Sequence, residues 1–195
     1  GTTWLNSRAE QGFFIGSDHN EIWVSYYIYL PDGTEPWGGS AYERTTTAES
    51  GFTSLNHKVN RFWDNDFGYS SNPEKMGVSS WPGSIAQASI EYSETDGGGL
   101  LNHYDGQIFT SGNLGNWIKY VFNAKIETAL GAENGHFKIG RVGALLVSDT
   151  GLTNFASDRA HYFNTGYLFG AANRGFKNDT IIFVDDFVIS TDSLL

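Results

Sequence analysis

The last long apolar run of the chain, residues 180–190, reads TIIFVDDFVIS and has the length and composition of a β-strand. Apolar side chains occupy both faces of this predicted strand: Ile181, Phe183, Phe187 and Ile189 on one face, and Ile182, Val184 and Val188 on the other. A strand that is apolar on both faces is typical of the middle of a layered β structure, where both faces are covered. We therefore expect residues 180–190 to form a central strand of an all-β sandwich.

The composition restricts the class of protein before any motif is considered. Glycine occurs 24 times in 195 residues, aromatic residues make up 15% and charged residues 17%, which is typical of a β protein with many turns. The formal net charge of −10 argues against a nucleic-acid partner. No stretch has transmembrane length and no signal peptide is evident, so we expect no membrane partner. We expect one domain over residues 1–195, and the abrupt start at Gly1 suggests excision from a longer chain.

The remaining strand pattern favours two stacked sheets. Residues 21–30 alternate most clearly, and the turn sequence Pro31-Asp32-Gly33 follows them. Residues 116–127 also alternate, and Asn134-Gly135 predicts a hairpin onto residues 136–147. Further strands are predicted at residues 54–63, 85–92, 107–110 and 162–171. Strands at intervals of roughly ten residues, without helical periodicity, indicate a sandwich or a jelly roll.

Three landmarks resemble a known family. They are Arg8-Ala9-Glu10 upstream of EIWVSYYIYLP at residues 21–31, the pair NWIKY at 116–120 and Asn134-Gly135, and VDDF at 184–187. Together they resemble the jelly-roll polysaccharide lyases of the alginate, glucuronan and heparin lyase I types, and their concanavalin-A-like relatives. The resemblance implies a concanavalin-A-like β-jelly roll, a sandwich of two antiparallel sheets with a concave binding face.

The family's chemistry requires a group that neutralises a uronate carboxylate, a base that removes the neighbouring proton and an acid that protonates the leaving oxygen. In alginate-type relatives a Y-x-K-x-G-x-Y-x-Q strand supplies much of this, and residues 162–170, YFNTGYLFG, are similar in outline. Asn164 stands at the lysine position and Leu168 at the catalytic tyrosine position. Tyr167 is shifted by one residue, so we expect it to point to the other face.

A basic cluster on the predicted strand 54–63 supplies the best candidates for such a site. His57 and Arg61 are four residues apart, so regular alternation places them on one face, with Trp63 beside them. In a lyase, His57, Arg61 and either Tyr162 or Tyr167 would handle the carboxylate and the proton. Lys58, Arg8 and Glu10 would contact the substrate. The structural alternative is a solvated strand, with Arg8 and Glu10 forming an ordinary ion pair.

Aromatic residues on the strand 21–30 form a second candidate site. Trp23, Tyr27 and Tyr29 alternate along one face, and such a row is a platform on which the apolar faces of sugar rings stack. The structural alternative is packing against a second layer, where most aromatic residues lie. Trp37 and Trp117, in or near loops, add to a binding surface.

Two adjacent carboxylates, Asp185 and Asp186, interrupt the apolar run of residues 180–190, one on each face of the predicted strand. An unpaired buried carboxylate is costly, so each one needs a cation, hydrogen-bond donors or a wet edge beside it. Calcium bound by such residues and by loop carbonyls is common in this fold, so either aspartate is a candidate ligand of a structural calcium. With no cysteine and five scattered histidines, the chain does not favour zinc. No cofactor is required for carbohydrate recognition or for the lyase chemistry.

Three functions are consistent with these residues. The first is a carbohydrate-recognising, non-catalytic jelly-roll module of an extracellular enzyme or a virion surface, favoured by the aromatic residues and by the absence of the lysine and tyrosine. The second is a polysaccharide lyase that cleaves a uronate-containing polymer by β-elimination. The third is a structural decoration subunit that assembles into a larger particle.

Overall fold

The computed structural model describes residues 11–38, 41–42, 57–64, 76–80, 88–92, 108–152, 162–169 and 180–195; for His57, 76–80 and 88–92 it describes the backbone alone. Within these ranges the chain forms ten strands and a 3₁₀ turn at Ser111–Asn113. The strands are β1 (Gln11–His19), β2 (Glu21–Tyr29), β3 (His57–Trp63), β4 (Met76–Ser80), β5 (Ala88–Tyr92), β6 (Trp117–Lys125), β7 (Gly135–Arg141), β8 (Ala144–Leu152), β9 (Phe163–Leu168) and β10 (Phe183–Ser190).

The strands form two five-stranded sheets. The first sheet has the order β1-β9-β3-β4-β5, and the second has the order β10-β2-β6-β7-β8. All of these pairs are antiparallel. The predicted all-β jelly roll of two antiparallel sheets is confirmed.

The inner faces of the two sheets enclose one hydrophobic core. From β2 the core receives Ile22, Val24, Tyr26 and Ile28, all at most 2% exposed, as the alternation predicts. The Tyr26 ring stacks on Phe122 of β6 with centroids 5.4 Å apart. The Asn60 side-chain amide of β3 donates a 3.1 Å hydrogen bond to the Tyr26 hydroxyl and so joins the two sheets. This contact identifies the inner face of the first sheet.

The prediction that residues 180–190 form a central strand is wrong. Among the strands that the structure describes, β10 lies at the edge of the second sheet and pairs with β2. Its register shifts between Asp185 and Val188, and Asp186 has a φ of 50°, so a bulge breaks the alternation. The bulge leaves both carboxylates exposed and turns Phe187 inward, where its ring lies 5.1 Å from that of Phe13. Bulges are common on edge strands, and the desolvation cost expected for the two aspartates does not arise.

The predicted strand 136–147 is also different in the structure. It is two strands, β7 and β8, joined at Val142 and Gly143, whose φ values are 52° and 78°. Two successive positive φ values form the tight turn that matches strand twist. Glycine adopts a positive φ readily but valine rarely does, so Val142 made the turn signal of Gly143 weak. The hairpin predicted from Asn134-Gly135 is confirmed, because β6 and β7 pair directly.

We predict that Gly166→Ala destabilises the fold by about 1–3 kcal/mol, because a Cβ at this β9 position has no room. It would lie 2.6 Å from the Arg61 carbonyl oxygen and 2.5 Å from Cζ of Phe13. Gly12→Ala on the adjacent strand is the matched control, since its nearest contact would be at 3.9 Å. Urea denaturation checks the difference, and equal midpoints for the two variants would contradict it.

Candidate functional site

Four of the predicted site residues lie on two opposite outer faces of the sandwich. Arg61 and Trp63 belong to β3 in the first sheet, whereas Trp23 and Tyr27 belong to β2 in the second sheet. Their neighbours in sequence, such as Phe62 and Tyr26, fill the core between the sheets. The structure therefore does not bring the basic and the aromatic candidates together, and each face must be considered separately.

The first face carries the Arg61 cluster, which we define as Arg61, Trp63, Thr165 and Tyr167. In the β3–β9 register Arg61 is opposite Tyr167 and Trp63 is opposite Thr165. Directly opposed residues share a face, with Cβ atoms about 5 Å apart. The Trp63 and Tyr167 rings also meet edge to face at 5.5 Å. A cation and a phenol thus lie side by side on this outer face.

The Arg61 cluster is buried. Arg61 is 1% exposed, Tyr167 is 3% exposed and Trp63 is 8% exposed. Arg61 Nη1 donates a 3.1 Å hydrogen bond to the Asn60 carbonyl oxygen. The cluster is therefore closed to a polymer in this conformation.

The shifted tyrosine of β9, Tyr167, lies on the same face as Arg61. Tyr167 does point away from the face of Asn164 and Leu168, as predicted, but that direction is the face that carries Arg61. Leu168 belongs to the core. The Asn164 amide donates to Asp18 at 3.0 Å and to Asp64 at 3.1 Å, which is a structural role. The prediction that Tyr167 points to the other face of the strand is therefore correct, and that face is the one with Arg61.

Among the described residues, the structure does not bring the other candidates for a lyase site next to Arg61. The register of β3 shifts between Lys58 and Asn60, so the spacing of His57 and Arg61 no longer implies a shared face. Tyr162 precedes β9 and is half-buried, as is Lys58. Arg8 and Glu10 lie outside the described residues. Their predicted roles stay predictions.

The second face carries the aromatic surface, which we define as Tyr29, Trp37, Trp117 and Phe183. Phe183 of β10, Tyr29 of β2 and Trp117 of β6 are directly opposed in one row across three strands. Trp37 from the turn after β2 packs on two of them, 5.7 Å from Tyr29 and 5.6 Å from Phe183. Tyr29 forms the floor at 9% exposed, while Trp37, Trp117 and Phe183 are 52%, 47% and 37% exposed.

A buried carboxylate holds this surface in place. Glu35 accepts hydrogen bonds from the Tyr29 hydroxyl at 3.1 Å and from the Asp32 and Gly33 N–H groups at 2.7 and 2.9 Å. Burial opposes ionisation of Glu35, but the backbone donors and Tyr29 outweigh it and lower the pKa of this carboxyl. The turn that carries Trp37 is thereby fixed to the β2 strand that carries Tyr29.

The outer face of the second sheet continues to a polar end around Trp23. Trp23 is opposite Asn123, whose amide donates to Glu21 at 3.0 Å and whose carbonyl oxygen lies 2.6 Å from His136 Nε2. Burial, together with nearby Lys138, lowers the pKa of His136. Six residues of strand separate Trp23 from Tyr29, roughly 20 Å, so Trp23 is not part of the aromatic surface. Tyr27 lies between them, opposite Lys119 and Asp185.

The candidate calcium ligands, Asp185 and Asp186, lie at the bulge of β10. Asp185 Oδ1 accepts a 2.8 Å hydrogen bond from the Asp186 N–H, and both side chains are exposed. Among the residues that the structure describes, no group of three or more His, Cys, Asp or Glu residues could hold a metal ion. Calcium at Asp185 or Asp186 stays a prediction. No helix in the described ranges is long and apolar enough to cross a membrane.

Comparison with known proteins shows the fold. No protein-family model matches the chain, and no curated protein matches it. The endo-β-1,4-glucuronan lyase of the fungus Trichoderma reesei is similar in structure, with a TM-score of 0.65 and 13% identity over 98% of this chain and 77% of that one. Alginate lyase Aly36B has a TM-score of 0.60 and 15% identity over 92% and 72%. Alginate lyase vAL-1 from Chlorella virus has a TM-score of 0.57 and 10% identity over 89% and 72%. The chain has the jelly-roll fold of these lyases, as its sequence motifs predicted.

We predict that Glu35→Gln lowers the denaturation midpoint at pH 7, because an amide group cannot accept all three hydrogen bonds. The lowered pKa means that the ionised carboxylate stabilises the fold above its unfolded pKa. This contribution is lost as the pH falls below the ordinary glutamate value of about 4.3. The midpoints of wild type and variant should therefore converge in acid. Glu133→Gln, at an exposed position, is the control, and a gap that persists unchanged to pH 3 would contradict the assignment.

Proposed function

We propose that the protein is a carbohydrate-recognising module that binds glycans on the aromatic surface without cleaving them. The proposal rests on the difference in solvent accessibility between the aromatic surface and the Arg61 cluster. Three rings of the aromatic surface are 37–52% exposed, whereas Arg61 and Tyr167 are 1% and 3% exposed. Of the two described faces with candidate residues, the aromatic surface is the one that a polymer can reach without a conformational change.

The chemistry of the aromatic surface suits sugar rings. A pyranose has apolar C–H faces and a polar rim of hydroxyl groups, so its faces stack on exposed indole and phenyl rings. Contiguous exposed apolar patches on soluble proteins mark interaction sites, and binding sites combine such patches with a few placed polar groups. Here Trp37, Trp117 and Phe183 form such an exposed patch. We expect such a module in an extracellular protein or on a virion surface.

The surface is also preorganised, which favours binding. Tyr29 contacts the three exposed rings at 5.6 to 6.2 Å, and its hydroxyl is held by Glu35. Phe183, Tyr29 and Trp117 are fixed by strand pairing rather than by loops. Rigid rings lose little conformational entropy on binding, so more of the contact energy appears as affinity.

A β-eliminating lyase is the second candidate function, favoured by the pairing of Arg61 with Tyr167. A guanidinium paired with a uronate carboxylate would acidify the adjacent C5–H. As its phenolate, Tyr167 would take that proton while the C4–C5 double bond forms and the C4–O bond breaks, and the resulting phenol would return the proton to the departing oxygen. The solved structures of similar fold include glucuronan and alginate lyases. This reaction requires the buried cluster to open.

We predict that Trp117→Ala and Trp37→Ala each weaken glycan binding by about tenfold, equivalent to about 1.4 kcal/mol. The loss follows from removing a ring on which a sugar stacks. Affinity electrophoresis in gels containing polysaccharide measures it through retardation of the protein. Leu130→Ala is the control, since Leu130 is 64% exposed in the β6–β7 connection. Retardation that is unaltered in both tryptophan variants would overturn the proposed surface.

We predict no rise in unsaturated-uronate absorbance when the protein is incubated with alginate or polyglucuronate. If a rise occurs and Tyr167→Phe lowers its rate by a factor of about 10²–10⁴, the lyase function replaces recognition without cleavage. Circular dichroism of Tyr167→Phe confirms that the variant is folded. Trp117→Ala should keep any such activity, because Trp117 lies on the opposite sheet.

A further inference from the structure

We infer that the aromatic surface selects uncharged sugars and disfavours uronates, because carboxylates surround its rings. The inference rests on the proposed function and specifies its ligand. It separates this chain from the solved lyases of similar fold, whose names give glucuronan and alginate as substrates. The aromatic surface of this chain would then bind a different class of sugar from those lyases.

Three carboxylates border the rings. The Asp32 side chain lies against Gly115, two residues before Trp117; a Cβ on Gly115 would be 2.6 Å from Asp32 Oδ2. Glu35 lies 3.1 Å from the Tyr29 hydroxyl. Asp185 is two residues from Phe183 on β10 and is opposite Tyr27. Each exposed ring of the row therefore has an acidic neighbour.

Asp32 and Glu35 are held in the ionised form at neutral pH. Hydrogen bonds from the Thr34 hydroxyl and N–H, both to Asp32 Oδ1 at 2.7 and 2.8 Å, lower the pKa of Asp32. For Glu35, burial acts in the opposite direction, but donors at 2.7 to 3.1 Å lower its pKa. Asp185 is exposed, and its Oδ1 accepts from the Asp186 N–H. None of the three carboxylates has an ammonium or guanidinium group among these contacts.

One cation offsets part of this charge. Lys119 is opposite Tyr27 and two residues from Trp117, so the register places it on the same outer face. Lys125 and Lys138 lie toward the Trp23 end, opposite His136 and Asn123 respectively. At the aromatic end, within the described ranges, three carboxylates thus face one ammonium group. The net charge of the whole chain, −10, has the same sign.

Coulomb's law gives the size of the effect. A uronate carboxylate stacked on the rings would sit about 7 Å from two uncompensated negative charges, which in water predicts roughly tenfold weaker binding than for a neutral sugar. Added salt screens charges over about 8–10 Å, so this preference should decrease between low ionic strength and about 0.15 M. A neutral sugar has no such dependence.

Affinity electrophoresis at low ionic strength tests the inference. The neutral polymers are mixed-linkage β-glucan, xylan and galactomannan, and the acidic polymers are alginate and polyglucuronate. We expect at least one neutral polymer to retard the wild-type protein with a dissociation constant roughly tenfold lower than that of either acidic polymer. Reference gels without polymer correct for mobility.

The charge variant is Asp32→Asn combined with Asp185→Asn. Asparagine keeps the Oδ1 acceptor that each position uses, so the turn and the strand edge are preserved. We expect the acidic polymers to bind this variant severalfold more tightly, with neutral binding unchanged. The control, Asp192→Asn combined with Glu133→Gln, makes the same net charge change at two exposed positions away from the rings.

The outcomes separate the inference from the function on which it rests. Acidic polymers that bind as tightly as neutral ones and depend on Trp117 would overturn the inference but keep glycan recognition. A charge variant that behaves like its control would also overturn the inference. Absence of retardation by every polymer, or retardation that is insensitive to Trp117→Ala, would overturn the proposed function itself.

Discussion

The burial of every second residue of β2 is the constraint on which the rest of the structure depends. Ile22, Val24, Tyr26 and Ile28 are at most 2% exposed, so the alternate residues must face outward. A slip of one residue would exchange the two faces and bury Trp23, Tyr27 and Tyr29 instead. Because β2 lies between β10 and β6, the same register also sets Phe183 and Trp117 beside Tyr29. The core and the exposed aromatic surface are therefore two consequences of one pattern.

Local alternation was enough to predict an all-β sandwich or jelly roll, the faces of β2 and the β6–β7 hairpin, and the resemblance of the motifs narrowed the fold to a concanavalin-A-like jelly roll. It was misleading for residues 180–190, because an apolar pattern does not distinguish a central strand from an edge strand with a bulge. Because of the bulge, Asp185 and Asp186 are exposed, whereas the sequence implied that they are buried. Likewise Val142 adopts a positive φ that valine rarely takes, so Gly143 beside it was a weak signal for the turn.

The candidate site was predicted in its residue types but not in its arrangement. Tyr29, Trp37, Trp117 and Phe183 come from distant parts of the chain, and only strand order and register bring them together. The same limit applies to Tyr167, because only the pairing of β3 with β9 shows that it lies opposite Arg61. A fold shared with lyases thus carries two candidate faces, one closed around Arg61 and one open at the aromatic surface.

Nuclear magnetic resonance of the six tryptophan indole N–H groups would test the account most directly, since the two faces carry different tryptophans. Trp37 and Trp117 belong to the aromatic surface, and Trp63 lies in the Arg61 cluster. During titration with a neutral oligosaccharide, the signals of Trp37 and Trp117 should shift together while that of Trp63 stays in place. A shift of the Trp63 signal with Trp37 and Trp117 unmoved would contradict the account and assign glycan binding to the face of Arg61 and Tyr167.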